Sequence, residues 1–505
     1  MFQKIPLPVQ NILTTLKEAG FEGYVVGGSV RDLILERTPK DWDVTTNALP
    51  DEILALFPES FYENNFGTVG VKVPRFSVMD ERASLSPETA PKEIIEVTTY
   101  RTESGYQDHR RPDAVSFTTS LTEDLARRDF TINALAYGQS ADGQWSLVDP
   151  FDGVKDLEAK CIRTVGNPEE RFGEDALRLM RAIRLLTELT PKEPGANETP
   201  WHIDPATFNA MVKLSELLTH ISKERLRDEL EKIILSPNPA FGIEKLHEAN
   251  LLRSILPELE LGIGVTQNLH HIYTVWEHNL RALATCPSSD LTVRLACLLH
   301  DVGKPATKRG EGYRSTFYNH DHVGARITEQ VLTRLRFPKE VINKATLLVD
   351  NHLFYYNVDE VTEASVRRLV KRVGLENMAD LMAVRIGDRL GSGVPKGKTY
   401  KLRHLEYMID KVSRDPLSVK MLALKGTDLI TELGLAPSPL IGALLDVLLS
   451  EVIDDPERNT RPYLLKRASE LKDLDLTKLR AIAAERIVAE KRKEEKNIKK
   501  KHWVN

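Results

Sequence analysis

The 505-residue sequence predicts an α+β chain: a mixed α/β front of about 150 residues, then an all-helical remainder. Two patterns carry this. Short β-rich runs bounded by glycine and polar stretches fill the front, namely Tyr24-Val25-Val26, Thr68 to Val73 and Ile94 to Thr99. After Pro150 apolar residues recur at helical spacing, through Leu214 to Leu218, Leu226 to Leu235 and Leu280 to Leu299. The length adds a third constraint, because single cores stop growing near about 250–300 residues.

Composition narrows the classes. With 41% hydrophobic and 28% charged residues the chain forms cores. A net charge of −5 gives no global nucleic-acid signal, so an RNA-binding surface has to be local. Cys161, Cys286 and Cys297 make neither a CxxC zinc pattern nor a disulfide framework, which fits a reducing cytoplasm. No signal peptide is evident, and no window approaches the roughly 20 apolar residues of a membrane span.

Taken in order, Val9, Ile12, Leu13 and Leu16 mark an amphipathic helix ahead of the first strand. Tyr24-Val25-Val26 runs into Gly27-Gly28-Ser29-Val30-Arg31-Asp32, a tight turn and short helix. A second strand then carries Asp41-Trp42-Asp43, with both aspartates on one face. Adjacent carboxylates repel unless a cation sits between them, and Mg²⁺ is the hard ion that bridges carboxylates to phosphates. The glycines let backbone approach a phosphate, and Arg31 adds a fork of donors. A surface turn with two solvated aspartates satisfies the same residues. Met79 to Lys92 is polar with two prolines and reads as a mobile loop.

Arg127-Arg128-Asp129-Phe130-Thr131-Ile132-Asn133-Ala134-Leu135-Ala136-Tyr137 reads as a polar rim above a core helix. Arginine suits a triphosphate and asparagine a ribose hydroxyl. Glu174 to Arg184 places Asp175, Arg178, Arg181 and Arg184 at steps of three, one polar stripe on a helix beside Leu177, Met180 and Ile183. A solvated salt-bridge face would look the same. An Asp/Arg pair has a chemical use, however. The carboxylate accepts from an exocyclic amino group and the guanidinium donates to a ring nitrogen, which selects C and A over U and G. An unsatisfied buried polar group costs about 1–3 kcal/mol.

Together, GGSVRD with DWD, RRDFTINALAY and EDALRLMRAIR resemble the class II CCA-adding enzymes, bacterial tRNA nucleotidyltransferases of the poly(A) polymerase superfamily. The match covers roughly residues 20 to 260, and Ile221-Ser222-Lys223-Glu224-Arg225 onward is similar to the family's RNA-binding neck. The resemblance implies that Asp41 and Asp43 hold catalytic Mg²⁺, with Glu96 as third carboxylate and Glu93 as its competitor. It implies that Gly28, Arg31, Arg128, Asp129 and Asn133 contact triphosphate and ribose. Asp175 and Arg178 would read the base, with Arg181 and Arg184 in support. Substrates would be tRNA, CTP and ATP. The loop at Met79 to Lys92 sits where the family has a flexible element tied to A addition.

Further on, His300-Asp301 lies within Leu298-Leu299-His300-Asp301-Val302-Gly303-Lys304-Pro305, and seven of thirteen histidines fall between His270 and His352. Adjacent His and Asp with further histidines on other helices can assemble a metal site. The segment resembles the HD domain of metal-dependent phosphohydrolases. That resemblance implies a divalent transition metal on His278, His300, Asp301 and Asp388, with Asp350 competing for the last place. His322 and His352 would serve a second ion. The expected divisions are a catalytic head at 1–150, a helical neck at 151–255, an HD domain at 256–410 and a helical body at 411–505. Leu424 to Leu449 and Asn459 to Leu471 belong to the body, followed by a tail with eight Lys/Arg against four Asp/Glu over its last twenty-one residues. The expectation is full CCA addition in the cytoplasm. The rivals are an A-adding or CC-adding enzyme, a poly(A) polymerase, or an HD phosphohydrolase with an RNA-binding front.

Overall fold

The structure is a computed structural model that describes residues 4–64, 67–74, 92–104, 114–139, 143–192, 199–268, 272–358, 360–413, 419 and 422–504. It divides into two compact units, Met1–Val349 and Asp350–Asn505.

The first unit opens with the expected amphipathic helix, Leu7–Glu18, which buries Val9, Ile12, Leu13 and Leu16. A seven-stranded sheet follows. Its strands are β1 (Gly23–Val26), β2 (Asp43–Thr46), β3 (Ser60–Asn64), β4 (Thr68–Pro74), β5 (Lys92–Thr99), β8 (Ala136–Gln139) and β9 (Trp145–Val148), in spatial order β3-β4-β5-β2-β1-β8-β9. A separate hairpin pairs β6 (Arg101–Ser104) with β7 (Ala114–Phe117). Among the described residues only β2 and β5 run parallel within the large sheet, and their register sets Asp43 opposite Glu96. The loop expected at Met79 to Lys92 lies outside the described residues except for Lys92, which opens β5.

The front departs from expectation in two places. Arg127 to Tyr137 is not a core helix. Thr131–Asn133 makes one 3₁₀ turn, and the chain then extends into β8 against β1. Asp41 is not in a strand either, because β2 begins at Asp43, paired with Val26. Beyond Val26 the neighbouring strand turns away at Gly27, so β1 offers residues 41–42 no partner.

After Pro150 helices dominate, broken by one two-residue parallel pair, β10 (Cys161–Ile162) and β11 (His202–Ile203). The stripe expected over Glu174 to Arg184 is two helices, Pro168–Glu174 and Leu177–Leu189. Asp175 stands extended between them, and its Oδ1 accepts from the Leu177 N–H at 3.1 Å. Leu280 to Leu299 also divides, into Val275–Ala284 and Leu291–Leu299. A continuous core of fully buried side chains such as Phe130, Phe172, Leu179, Leu226 and Leu295 ties head to helices.

The second unit is helical, with its own core around Leu429, Leu444, Leu448, Leu464 and Leu479. It carries helices Gly426–Leu433, Pro439–Asp454 and Arg461–Leu471 over the segments read as helical, and ends in Leu476–Lys501. Among the described residues no helix is long and apolar enough to cross a membrane.

Candidate active site

Gly27 turns the chain from β1 into the helix Gly28–Ile34 at φ 77°, a conformation that favours glycine. A Cβ there would sit 3.0 Å from Nη1 of Arg128. From the helix, Arg31 donates through Nη1 to Oδ1 of Asn133 at 2.8 Å. Asn133 in turn donates to Asp129 at 3.3 Å, and Arg181 closes the chain with Nε 2.7 Å from Asp129 Oδ2. Four residues singled out from three separate sequence clusters therefore form one network. Asp129 is 7% exposed. Burial pushes its carboxyl up, but Arg181 and Arg178 more than reverse this, holding it at about 2.

This network forms one wall of a cleft of about 690 Å³. Gly27, Gly28, Arg31, Asp41, Asp43, Arg128, Asp129, Asn133, Arg181 and Arg184 all line it. Arg37, Lys40 and Lys232 line it too, three cations that no motif singled out. Lys40 stands directly before Asp41, and that adjacency was the available signal. Asp43 and Glu96 both have raised carboxyl pKa values. For Asp43 the causes are burial, partly countered by Arg128, and then repulsion from Asp41. For Glu96 they are burial, then repulsion from Asp43, Glu63 and Asp41. Carboxylates that raise one another in this way are a donor set that a divalent cation relieves, so Asp41, Asp43 and Glu96 fit a metal. Glu93, three residues from Glu96 on the same strand, alternates to the other face and pairs with Val73 of β4.

The expected base readers are placed differently. Asp175 is gripped by Arg225, at 2.7 and 3.2 Å. Arg178 is buried, donating to Glu174 at 2.5 Å and to the carbonyls of Arg171 and Arg127 at 2.9 and 3.0 Å. Neither lines the cleft. Arg184 does, paired with Glu229 at 2.9 Å.

A second cluster lies deeper in the first unit. His278, His300 and Asp301 bring ligand atoms within 4.8 Å of one another, all buried. Nε2 of His278 is 3.0 Å from Nε2 of His300 and 3.2 Å from Asp301 Oδ2. Nδ1 of His300 lies 2.8 Å from the Cys297 carbonyl, and Nδ1 of His320 lies 2.7 Å from the Phe317 carbonyl. Those carbonyls accept from Nδ1 and so turn each Nε2 toward Asp301, the ring orientation that metal-binding histidines use. Asp301 is buried, yet His300 and Lys304 draw its pKa well below the usual range. His320 stands 3.2 Å from Asp301, while His322, expected to serve a metal, is exposed. Two residues along a helix is a rotation of about 200°, so only one of the pair can face inward. The helix bearing His320 crosses close to Gly303, where a Cβ would meet the His320 carbonyl at 2.3 Å. His352 and Asp388, both buried, belong to the second unit together with Asp350, and Asp388 pairs there with Arg385 at 2.7 Å.

Comparison with known proteins agrees with this layout. Residues 23–163 match the poly A polymerase head domain, 201–262 the probable RNA and SrmB-binding site of polymerase A, and 268–387 the HD domain. A protein of Limosilactobacillus reuteri (strain DSM 20016) named CCA-adding enzyme is 44% identical over 237 residues, 47% of this chain and 51% of that protein. A CCA-adding enzyme of Ligilactobacillus salivarius is 43% identical over 242 residues, 48% and 52% of the two chains. The alignments thus span about half the length of these curated relatives. The crystal structure of Bacillus stearothermophilus CCA-adding enzyme in complex with CTP superposes with a TM-score of 0.57 at 27% identity, covering 92% of this chain and 98% of that one. The chain thus matches a poly A polymerase head, an RNA-binding segment of polymerase A and an HD domain in that order, and carboxylates face arginines across the cleft of the first.

Proposed function

We propose that this protein adds C, C and A to the 3′ end of tRNA from CTP and ATP without a nucleic-acid template. One observation carries the reading. Asp43 and Glu96 face each other across β2 and β5, beside a cleft whose wall holds Arg31, Arg128 and Arg181. Carboxylates opposite arginines suit a reaction in which a triphosphate is bound by its negative charge and attacked at one phosphorus. The names of the sequence relatives and the CTP-bound neighbour support the nucleotide assignment.

The roles follow from placement. Gly27 and Gly28 let phosphate oxygens approach the start of their helix. Arg31, held by Asn133, and Arg128 balance charge on the triphosphate, and Arg181 braces them through Asp129. Asp41, Asp43 and Glu96 would hold Mg²⁺, which supplies a lowered pKa at the attacking hydroxyl and charge neutralisation at the leaving pyrophosphate. Selection of C and A by Asp175 and Arg178 requires them to exchange Arg225 and Glu174 for the base edge. The test uses tRNA transcripts lacking CCA, ending in CC, or complete, with each labelled nucleotide singly and together. Ordered incorporation of C, C, then A is expected. Incorporation of A alone would replace this reading with an A-adding or polyadenylating one.

The histidine cluster supports a second, separable activity. His278, His300, Asp301 and His320 form a donor set for a divalent transition metal, and the HD match favours a phosphohydrolase. His300→Ala should weaken Mn²⁺ or Ni²⁺ binding at least about a hundredfold by calorimetry and leave nucleotide addition intact. Unchanged metal affinity would remove this cluster from consideration.

A further inference from the structure

Cys286 and Cys297 lie together in the first unit. Cys286 follows the helix Val275–Ala284, and Cys297 sits in the next one, Leu291–Leu299. Side-chain contacts bring the two sulfurs to one place. The Ser288 carbonyl accepts from Cys286 Sγ at 3.8 Å and from Arg294 Nε at 3.0 Å, so Cys286 and Arg294 share an acceptor. Arg294 and Cys297 are three residues apart on one helix, a spacing that puts both on the same face. A hydrogen bond between the two thiols closes the arrangement.

Burial divides the pair. Cys297 is fully buried, whereas Cys286 is half-buried between the exposed residues Thr285 and Pro287. Ionisation divides the cysteines as well. The hydrogen bond from Cys297 draws the Cys286 pKa below the usual thiol value; burial opposes this, and the Ser288 backbone and the Arg294 charge add to it. Cys161 is shifted the other way, pushed up by burial and then by Asp156. A reachable thiol that ionises readily, with a second thiol in contact behind it, suits an oxidisable cysteine and its resolving partner. Neither sulfur belongs to the nucleotide cleft or to the histidine cluster.

We propose that Cys286 and Cys297 form a reversible disulfide on exposure to a hydroperoxide. The Cys286 thiolate attacks the terminal peroxide oxygen and the O–O bond breaks. Sulfur keeps that oxygen as a sulfenic acid, and the other oxygen leaves with the proton Cys286 gave up, as water or an alcohol. The Cys297 sulfur then attacks the sulfenic sulfur. An S–S bond forms, the S–O bond breaks, and hydroxide leaves as water with the Cys297 proton. Two thiols lose two electrons and the peroxide gains them. The exposed loop residues Thr285, Pro287 and Ser289 can shift to close the bridge, so the buried helix need not. Thiol exchange through a mixed disulfide reverses it. While closed, the bridge anchors the residue whose carbonyl accepts from His300 Nδ1 at 2.8 Å.

The experiment uses the full chain, reduced, freed of reductant and treated with hydrogen peroxide, then denatured in a thiol alkylator. Trypsin cuts after Arg294, between the two cysteines, so mass spectrometry reads the bridge as a linked peptide pair. Alkylation of Cys286 and Cys297 should fall together, at least about tenfold, while Cys161 keeps its label. Dithiothreitol should restore both labels. Cys297→Ser should leave Cys286 as a sulfenic acid that dimedone traps, with no linked pair. Cys286 oxidised to the sulfinic acid in the wild type without a linked pair overturns the proposal. So do thiols that stay unreacted, a bridge to Cys161, or a bridge between two copies, seen as a dimer on a non-reducing gel. The wild-type peptide measurement needs no variant, so a poorly folding Cys297→Ser leaves the test standing.

Discussion

Asp43→Asn is expected to lower nucleotide addition by at least about a thousandfold while raising the melting temperature. The two effects have one origin. Burial lifts the Asp43 carboxyl above its ordinary range, with Asp41 adding to this and Arg128 only partly opposing it. Its ionised form therefore costs folding free energy at neutral pH, and the neutral amide of the same shape removes that cost. The sign fixes the pH dependence. A raised acid penalises the fold above its shifted pKa, and the penalty fades as pH falls through that value. The gap in melting temperature between wild type and variant should therefore close on acidification. Activity should fall over the same range as Asp43 and Glu96, both raised, take up protons. Thermal melts by circular dichroism and single-nucleotide incorporation across pH check both halves. A variant that melts lower than wild type at neutral pH would show that the carboxylate is not under the strain described.

Asp129→Ala should act in the opposite sense on stability, costing about 3–5 kcal/mol in the unfolding of the first unit. Asp129 is the buried acceptor of Arg181, at 2.6 and 2.7 Å, and it also accepts from Asn133 and the Phe130 N–H. Removing it strands a guanidinium beside Glu229 and releases Asn133 from its orientation. With its carboxyl moved from 3.8 to about 2, the charge alone corresponds to about 2–3 kcal/mol. The sign here is the usual one for a depressed acid. The stabilisation is complete above the unfolded value near 4 and is lost as pH falls toward 2. Urea unfolding of wild type and variant at neutral pH and at pH 3 measures this, and a pH-independent difference would assign the loss to packing instead. Because Asn133 holds Arg31, nucleotide affinity should fall as well.

The sequence made some of this readable and hid the rest for physical reasons. Thr68 to Val73 and Ile94 to Thr99 alternate and are rich in β-branched residues, so their extension is a local property. Arg127 to Tyr137 has no such preference. Its last residues became a strand because β1, more than a hundred positions earlier, offers an edge to pair with. Asp175 continues the helical spacing of its neighbours, and its place at a helix break is accompanied by a hold from Arg225, 50 residues downstream. Glu96 could be preferred over Glu93 but not placed opposite Asp43, because strand register is a tertiary fact. His320 was visible only as one of several histidines. Which of His320 and His322 faces inward depends on where the helix docks, not on its composition.

Gly303 has a further meaning. It passes the His320 carbonyl so closely that even a methyl group would collide at 2.3 Å. The separation between the segment bearing His300 and Asp301 and the helix bearing His320 is therefore a main-chain dimension, as in a calliper locked by its frame. Surrounding side chains are free to drift over evolutionary time without altering that gap. Position 303 is not, and a designer wishing to retune the cluster for a larger ion would have to begin with the main chain there rather than with the histidines.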